Sequence, residues 1–263
     1  MDNVINLKGK NVLVTGAGQG IGAGICRAMA ACGANILVNY HLNQEKAAAL
    51  TQELQQSYGV LAFSYCADIS RKAEVTGMFD FFDRTLGEID VLVNNAGCES
   101  IEHAIYMDLD DWDTVFNVNL RGAFLCAQEA GRRMVKRRQG VIINISSIHD
   151  KVPRKGLIHY CSAKAGLNMM TKCLALELAS DNVRVVSVSP GAIETEMNRE
   201  EIEKFGKEKF NDWIPLGRLG NIEDIAWTCA FLASDKASYF TATEIYIDGG
   251  YKESTIPYDP RTK

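Results

Sequence analysis

Short apolar runs alternate along this chain with longer segments of helical periodicity. Residues 11–15 (NVLVT), 35–39 (NILVN), 61–66, 89–93, 141–145, 183–188 and 244–247 read as seven strands. Helices are expected over 21–32, 44–57, 71–86, 110–138, 159–180 and 222–232. Strands that are apolar throughout, with helices between them, imply a parallel sheet covered on both faces. That is a doubly wound α/β fold, a seven-stranded parallel sheet with helices on both sides. No Pro/Gly/Ser-rich linker, repeat or low-complexity stretch divides residues 1–263, so one domain is expected. Only 194–213 interrupts the rhythm, charged but carrying Met197, Phe205, Phe210 and Trp213. A lid over a site, about 192–213, is one reading of it, and a peripheral helical excursion is the other. The tail, 251–263, holds two of the five prolines and has no periodicity.

Composition narrows the classes. A 47% hydrophobic, 23% charged chain is an ordinary globular one. Its net charge of -5 argues against nucleic acid as a partner, since phosphate backbones call for a basic surface. One basic run, Arg132-Arg133 to Lys136-Arg137-Arg138, suits a helix C-terminus, where the dipole favours cations. Eight cysteines include no C-x-x-C pair and no Cys/His cluster with metal spacing, so no metal is expected. Most sit in apolar runs as small hydrophobes, which points to a reducing compartment. With no membrane-length apolar run and no basic-then-apolar leader at the N-terminus, a cytoplasmic location is expected.

Directly after the first strand comes Thr15-Gly16-Ala17-Gly18-Gln19-Gly20-Ile21-Gly22. A glycine-rich turn between strand and helix brings backbone N–H groups to a pyrophosphate, and the helix N-terminus favours its charge. Later segments carry further polar groups at strand ends: Asp68, Asn94-Asn95-Ala96-Gly97, Ser146-Ser147 and Pro190-Gly191. Tyr160 and Lys164 are four apart on a helix and share a face. Alternation puts Ser146 and Ser147 on opposite faces of the chain.

In this order, with G-x-x-x-G-x-G spacing, these segments and Asn119 resemble the short-chain dehydrogenase/reductase family over nearly the whole chain. The resemblance implies a Rossmann-type domain that binds NAD(P) and interconverts a secondary alcohol and a ketone, or a lactol and a lactone. It implies Asn119, Ser147, Tyr160 and Lys164 as the catalytic group. Ser147, thirteen residues before Tyr160, would hold the substrate oxygen, and Asn119 would support a water-linked proton path. Tyr160 would move the proton, its phenolate stabilised by the Lys164 ammonium and the positive nicotinamide ring. Gly16, Gln19, Gly20, Ile21, Gly22, Tyr40, His41, Asp68, Ile69, Asn95, Ala96, Gly97, Pro190, Gly191, Ile193 and Thr195 would line the cofactor, with Tyr160 and Lys164 at the nicotinamide end. Tyr40 stands where NAD-specific relatives have aspartate, and His41 where NADP users often have arginine. Both cofactors are therefore expected, with a slight lean to NADP.

Several segments are similar to bacterial glucose 1-dehydrogenases of the family, among them Gly97-Cys98-Glu99 and Ser147-Ile148-His149-Asp150. That places Glu99, His149 and Asn198 near a sugar, beside Ser147 and Tyr160. The segment Arg154-Lys155-Gly156 departs from those enzymes. A hydroxysteroid (bile acid) and an acyl-carrier-protein-linked ketone stay open as substrates. A non-catalytic cofactor-binding scaffold would be expected to lack one of the four catalytic residues. Apolar residues on more than one side of 110–138 and 159–180 imply a partner subunit, and the resemblance makes that a homotetramer.

Overall fold

The computed structural model describes residues 5–196 and 198–254. Met197 of the expected lid, 255–263 of the tail and 1–4 lie outside the described residues. Seven strands form one parallel sheet: β1 (Asn11–Val14), β2 (Asn35–Tyr40), β3 (Ala62–Cys66), β4 (Val91–Asn94), β5 (Gly140–Ile145), β6 (Val183–Pro190) and β7 (Glu244–Ile247). Their order is β3-β2-β1-β4-β5-β6-β7, so the winding reverses between β1 and β4. Ligands bind outside the carboxyl ends of strands at such a reversal.

Helices α1 (Gly20–Ala31), α2 (Gln44–Tyr58) and α3 (Lys72–Thr85) follow the first three strands. After β4 come α4 (Leu109–Phe116) and α5 (Ala123–Arg137), then α6 (Ile158–Leu178) after β5. Beyond β6 lie two short helices, α7 (Arg199–Phe205) and α8 (Lys207–Trp213), and the longer α9 (Ile222–Ala233). Successive strand residues pack on opposite faces, as the two-residue period demands. Val12, Val14, Ile36 and Val38 meet Ile25 and Met29 of α1 and Ile225 and Cys229 of α9. Leu13, Leu37 and Leu92 meet Phe79 and Phe82 of α3 and Cys126 and Met134 of α5. Each large apolar side chain so buried contributes about 1.5–3 kcal/mol.

The expected elements are present, with one correction. Residues 110–138 are not one helix: between α4 and α5 the chain makes a π-helical turn, Asn117–Gly122. Its cause is tertiary. Asn119 is buried there and its side chain is clasped by the backbone of Cys98. Strand β6 also runs two residues further than expected, to Pro190, through the buried Ser187 and Ser189. The basic run at the end of α5 is tied down by acids: Arg133 by Asp83 and Glu129, Arg137 by Glu88 and Asp90, and Arg138 by Asp181.

A polar knot joins the turn after β5 and the middle of α6 to β7. The Tyr246 hydroxyl lies 3.0 Å from Asp150 Oδ2 and 2.7 Å from Glu244 Oε1, and Asn168 donates to both carboxylates. Lys151 and Lys172 stand 3.9 and 3.6 Å from Glu244. Burial and the neighbouring Glu244 push the Asp150 carboxyl up to about 7. Glu244 is displaced downward: burial opposes this, but its hydrogen bonds with Asp150 and Tyr246 and the two lysines outweigh it. An acid whose pKa is raised by folding stabilises below its unfolded value, and that contribution is lost as pH rises through the folded value. The Glu244 contribution runs the other way and is lost only in acid. Asp150→Asn is therefore expected to raise Tm by about 2 °C at pH 8.5 and to leave it nearly unchanged at pH 5, the modest size reflecting partial solvation. Thermal melts at both pH values check this, and a gain independent of pH would contradict it.

Candidate active site

The reversal between β1 and β4 opens a cleft of about 650 Å³. Its floor is built by short side chains that fasten loops to one another. Thr15 Oγ1 accepts from the backbone amides of Asn95 and Ala96, at 3.0 and 3.1 Å. Asn95 Nδ2 donates back to the carbonyls of Thr15 and Gly16. Asn39, buried at the end of β2, accepts from the Gly16 amide and donates to the Ala67 carbonyl. In the sequence this second fastener is the polar residue that ends the apolar run 35–39, a position no motif marks. Gly16 has φ +60°, and a Cβ there would come within 2.6 Å of Ala96 Cα, so only glycine closes this turn.

Helix α1 begins at the cleft. Its first residue is preceded by Gln19, which makes no side-chain cap to the helix amides. Those N–H groups and the positive helix end are available to an anion. Gly16, Gln19, Gly20, Ile21, Tyr40, His41, Asp68, Ile69, Asn95, Ala96, Gly97, Pro190, Gly191, Ile193 and Thr195 all line the same cleft. Gly22 lies one turn behind, where a Cβ would strike Asn95 Nδ2. Asp68 accepts from the Ser70 amide and pairs with Arg71 at 3.3 Å. Burial pushes its carboxyl up, but Ser70, His41 and Arg71 hold it below the usual range. The continuous cradle, the uncapped helix start and the carboxylate beyond β3 fit a dinucleotide.

Asn119, Ser147, Tyr160 and Lys164 come together at the far end. Ser147 lies just past β5, and its hydroxyl hydrogen-bonds the Tyr160 side chain. Lys164, one turn on along α6, donates to the Ile145 carbonyl at 2.9 Å, its Nζ 5.5 Å from the Tyr160 ring centre. Ser146 faces away, its hydroxyl toward the Lys164 carbonyl. Asn119 accepts from the Cys98 amide at 2.9 Å and donates to the Cys98 carbonyl at 2.8 Å. A Cβ on Gly97 would sit 2.9 Å from Asn119 Oδ1, so this glycine lets the two segments close.

Burial governs the charges here. It pulls Lys164 down to about 8, against the opposing pull of Cys98, Glu99 and Asp150. Burial also pushes the Tyr160 hydroxyl above its ordinary value, the Glu99 charge adds to this, and Ser147 only partly offsets them. The resemblance implies that the Lys164 ammonium and the nicotinamide ring lower this tyrosine. Among the protein's own groups burial prevails; an oxidised nicotinamide bound beside the ring would add a positive charge that favours the phenolate.

Glu99, His149 and Asn198 also line the cleft. The His149 ring packs edge-on to Tyr160, with Nδ1 2.9 Å from the Val152 carbonyl. Asn198 is engaged within its own loop. Its Oδ1 accepts from the amide and hydroxyl of Thr195, and its Nδ2 donates to the Ile193 carbonyl at 2.7 Å. Lining residues that the motifs did not indicate include Leu42, Asn43, Val118, Glu196 and Tyr251. From the interrupting segment, Phe205, Phe210 and Trp213 reach the cleft.

Known proteins with this arrangement are numerous. A family profile described as enoyl-(acyl carrier protein) reductase matches residues 16–252. A 3beta-hydroxysteroid dehydrogenase of Eggerthella lenta is 37% identical over 93% of this chain and 94% of its own. A 3-oxoacyl-[acyl-carrier-protein] reductase of Staphylococcus aureus is 41% identical over 92% of this chain and 97% of its own. Among solved structures, gluconate 5-dehydrogenase of Burkholderia cenocepacia, in complex with NADP and tartrate, superposes with TM-score 0.90 at 32% identity, covering 95% of this chain and 97% of that one. A 7 alpha-hydroxysteroid dehydrogenase complexed with NADH and 7-oxo glycochenodeoxycholic acid gives TM-score 0.90 at 32% identity, covering 95% and 98%. Fold, glycine cradle and relatives agree: the chain belongs to the short-chain dehydrogenase/reductase family, as an NAD(P)-dependent oxidoreductase that interconverts secondary alcohols and ketones.

Proposed function

We propose that Tyr160, Ser147, Lys164 and Asn119 carry the reaction, and that the substrate is an extended, largely apolar alcohol or ketone of the hydroxysteroid kind. The observation behind the substrate class is that Phe205, Phe210 and Trp213 line the cleft that holds Tyr160. The segment 192–213 is then a lid whose inner side is aromatic. Aromatic rings offer a large apolar surface to a fused-ring ligand. The engagement of Asn198 within its loop points the same way. A polyol is the second reading, supported by Glu99 and His149 in the cleft and by the gluconate dehydrogenase relative. The basic run of α5 gives an acidic carrier protein little purchase, since acids already pair Arg133, Arg137 and Arg138.

NAD(P), held by the glycine loop, Asp68, 95–97 and 190–195, supplies the hydride acceptor or donor. Ser147 and Tyr160 hold the substrate oxygen between two hydroxyls. In reduction the Tyr160 hydroxyl gives its proton to that oxygen, and in oxidation it takes the proton back. Lys164 keeps a positive charge behind the tyrosine, and Asn119 holds Gly97-Cys98 against the lysine. Both cofactors are accepted, with a lean to NADP, because β2 ends on Tyr40 and offers no carboxylate to repel a 2′-phosphate.

The protein works as a homo-oligomer, a tetramer by the family's habit. Phe124 of α5 and Met169 and Leu176 of α6 are 40%, 60% and 76% exposed in the single chain, and patches of this kind mark subunit contacts. None of the described helices is long and apolar enough to cross a membrane. The cysteines are free, which suits the cytoplasm.

Tyr160→Phe is expected to lower kcat about 10³-fold and Ser147→Ala about 10²-fold, with unchanged circular dichroism. A Tyr160→Phe enzyme within a few-fold of wild type would remove the tyrosine from the mechanism. Glu99 holds both the Tyr160 and the Lys164 pKa up. In Glu99→Gln the alkaline fall in kcat/KM for ketone reduction, expected near pH 8 from Lys164, should therefore move to lower pH. An unchanged profile would show that Lys164 does not set it. For the substrate, kcat/KM should be measured with 3-, 7-, 12- and 17-hydroxysteroids, glucose and gluconate, each with NAD and NADP. Steroid turnover with no glucose turnover is expected, and the converse would establish the polyol reading instead.

A further inference from the structure

Lys46 stands in the first turn of α2, and its ammonium points back across the adenosine end of the cleft. Nζ donates to Gln19 Oε1 of the glycine loop at 2.7 Å and lies 3.6 Å from Glu196 Oε1 at the foot of the lid segment. Asn43 Nδ2 donates to the same Gln19 oxygen at 3.2 Å. Gln19, Tyr40, His41, Asn43 and Glu196 all line the cleft here. One cation therefore sits between the two walls of the site, just past the end of β2.

This is the region where dinucleotide folds distinguish their two cofactors. A carboxylate at the end of β2 holds the ribose hydroxyls, whereas a nearby cation accommodates a 2′-phosphate. Strand β2 ends on Tyr40, which carries neither charge. The cation comes instead from the following helix. Its present partners are ones it can leave. Gln19 is a neutral amide, and the Glu196 contact is longer and half exposed. A phosphate dianion offers more charge and three acceptor oxygens, and it would outcompete a single solvated carboxylate.

We propose that Lys46 is the specificity residue that reads a 2′-phosphate on the adenosine ribose, with Glu196 as its resting counter-ion. Binding of the phosphate frees Glu196 and so breaks a tie between α2 and the lid segment. The inference rests on the lean to NADP described above and names the residue responsible for it.

Isothermal titration of the full chain with adenosine 2′,5′-bisphosphate and with 5′-AMP tests this without turnover. The wild type is expected to bind the bisphosphate about tenfold more tightly than 5′-AMP, the scale of one charge-assisted contact at a partly solvated site. Lys46→Gln should erase most of that preference while changing 5′-AMP binding by less than about twofold. Glu196→Gln, which removes the competing anion, should tighten the bisphosphate about two- to threefold. Both side chains are about half exposed, so the variants should melt like the wild type. Equal binding of the two nucleotides by the wild type overturns the cofactor reading and this assignment together. A preference that survives Lys46→Gln overturns the assignment alone.

Discussion

The Thr15 hydroxyl accepts two consecutive backbone amides from the end of β4, and Asn95 returns two hydrogen bonds to the glycine loop. These few bonds determine where the site can be. In a parallel sheet whose winding reverses, the loops after β1 and β4 leave in opposite directions and would otherwise splay apart. Fastened together, they become one rigid floor. Asn39 extends the fastening to the end of β3, and the cleft inherits a fixed width before any ligand arrives. Buried donors and acceptors of this kind are costly to leave unmade, so the floor has little freedom to relax.

The other end of the site is governed by burial. Tyr160 and Lys164 are both pushed toward their neutral forms by loss of water. The Lys164 side chain is oriented by the Ile145 carbonyl, while Glu99 supplies negative charge from across the cleft. A neutral tyrosine is suited to donating its proton to a ketone. For the reverse direction, an oxidised cofactor bound here would supply positive charge that favours the phenolate.

Much of this was legible in the chain itself. Short runs apolar throughout located the strands and the 3.6-residue period located the helices, because both patterns are local. The glycine turn and the Tyr160/Lys164 pair were visible for the same reason. Features set by distant partners were not. The break between α4 and α5 depends on Asn119 meeting Cys98, 21 residues earlier in the chain. The engagement of Asn198 by Thr195 and Ile193 looks, in sequence, like any polar loop residue. Tyr160's displacement depends on how much water the fold removes, which no spacing reports. Lys46 reads as one more surface charge on α2 until Gln19 and Glu196 are seen on either side of it.

The π-helical turn at Asn117–Gly122 has an evolutionary corollary. Such a turn contains one residue more than an α-helix needs for the same advance. Removing that residue would let α4 and α5 fuse into one regular helix, with Cys126, Ala130 and Met134 still turned to the core. What would go is the bulge that carries Asn119 to the backbone of Cys98. The extra residue therefore serves the site and not the packing. Lineages that keep this fold but abandon its chemistry should be free to lose it.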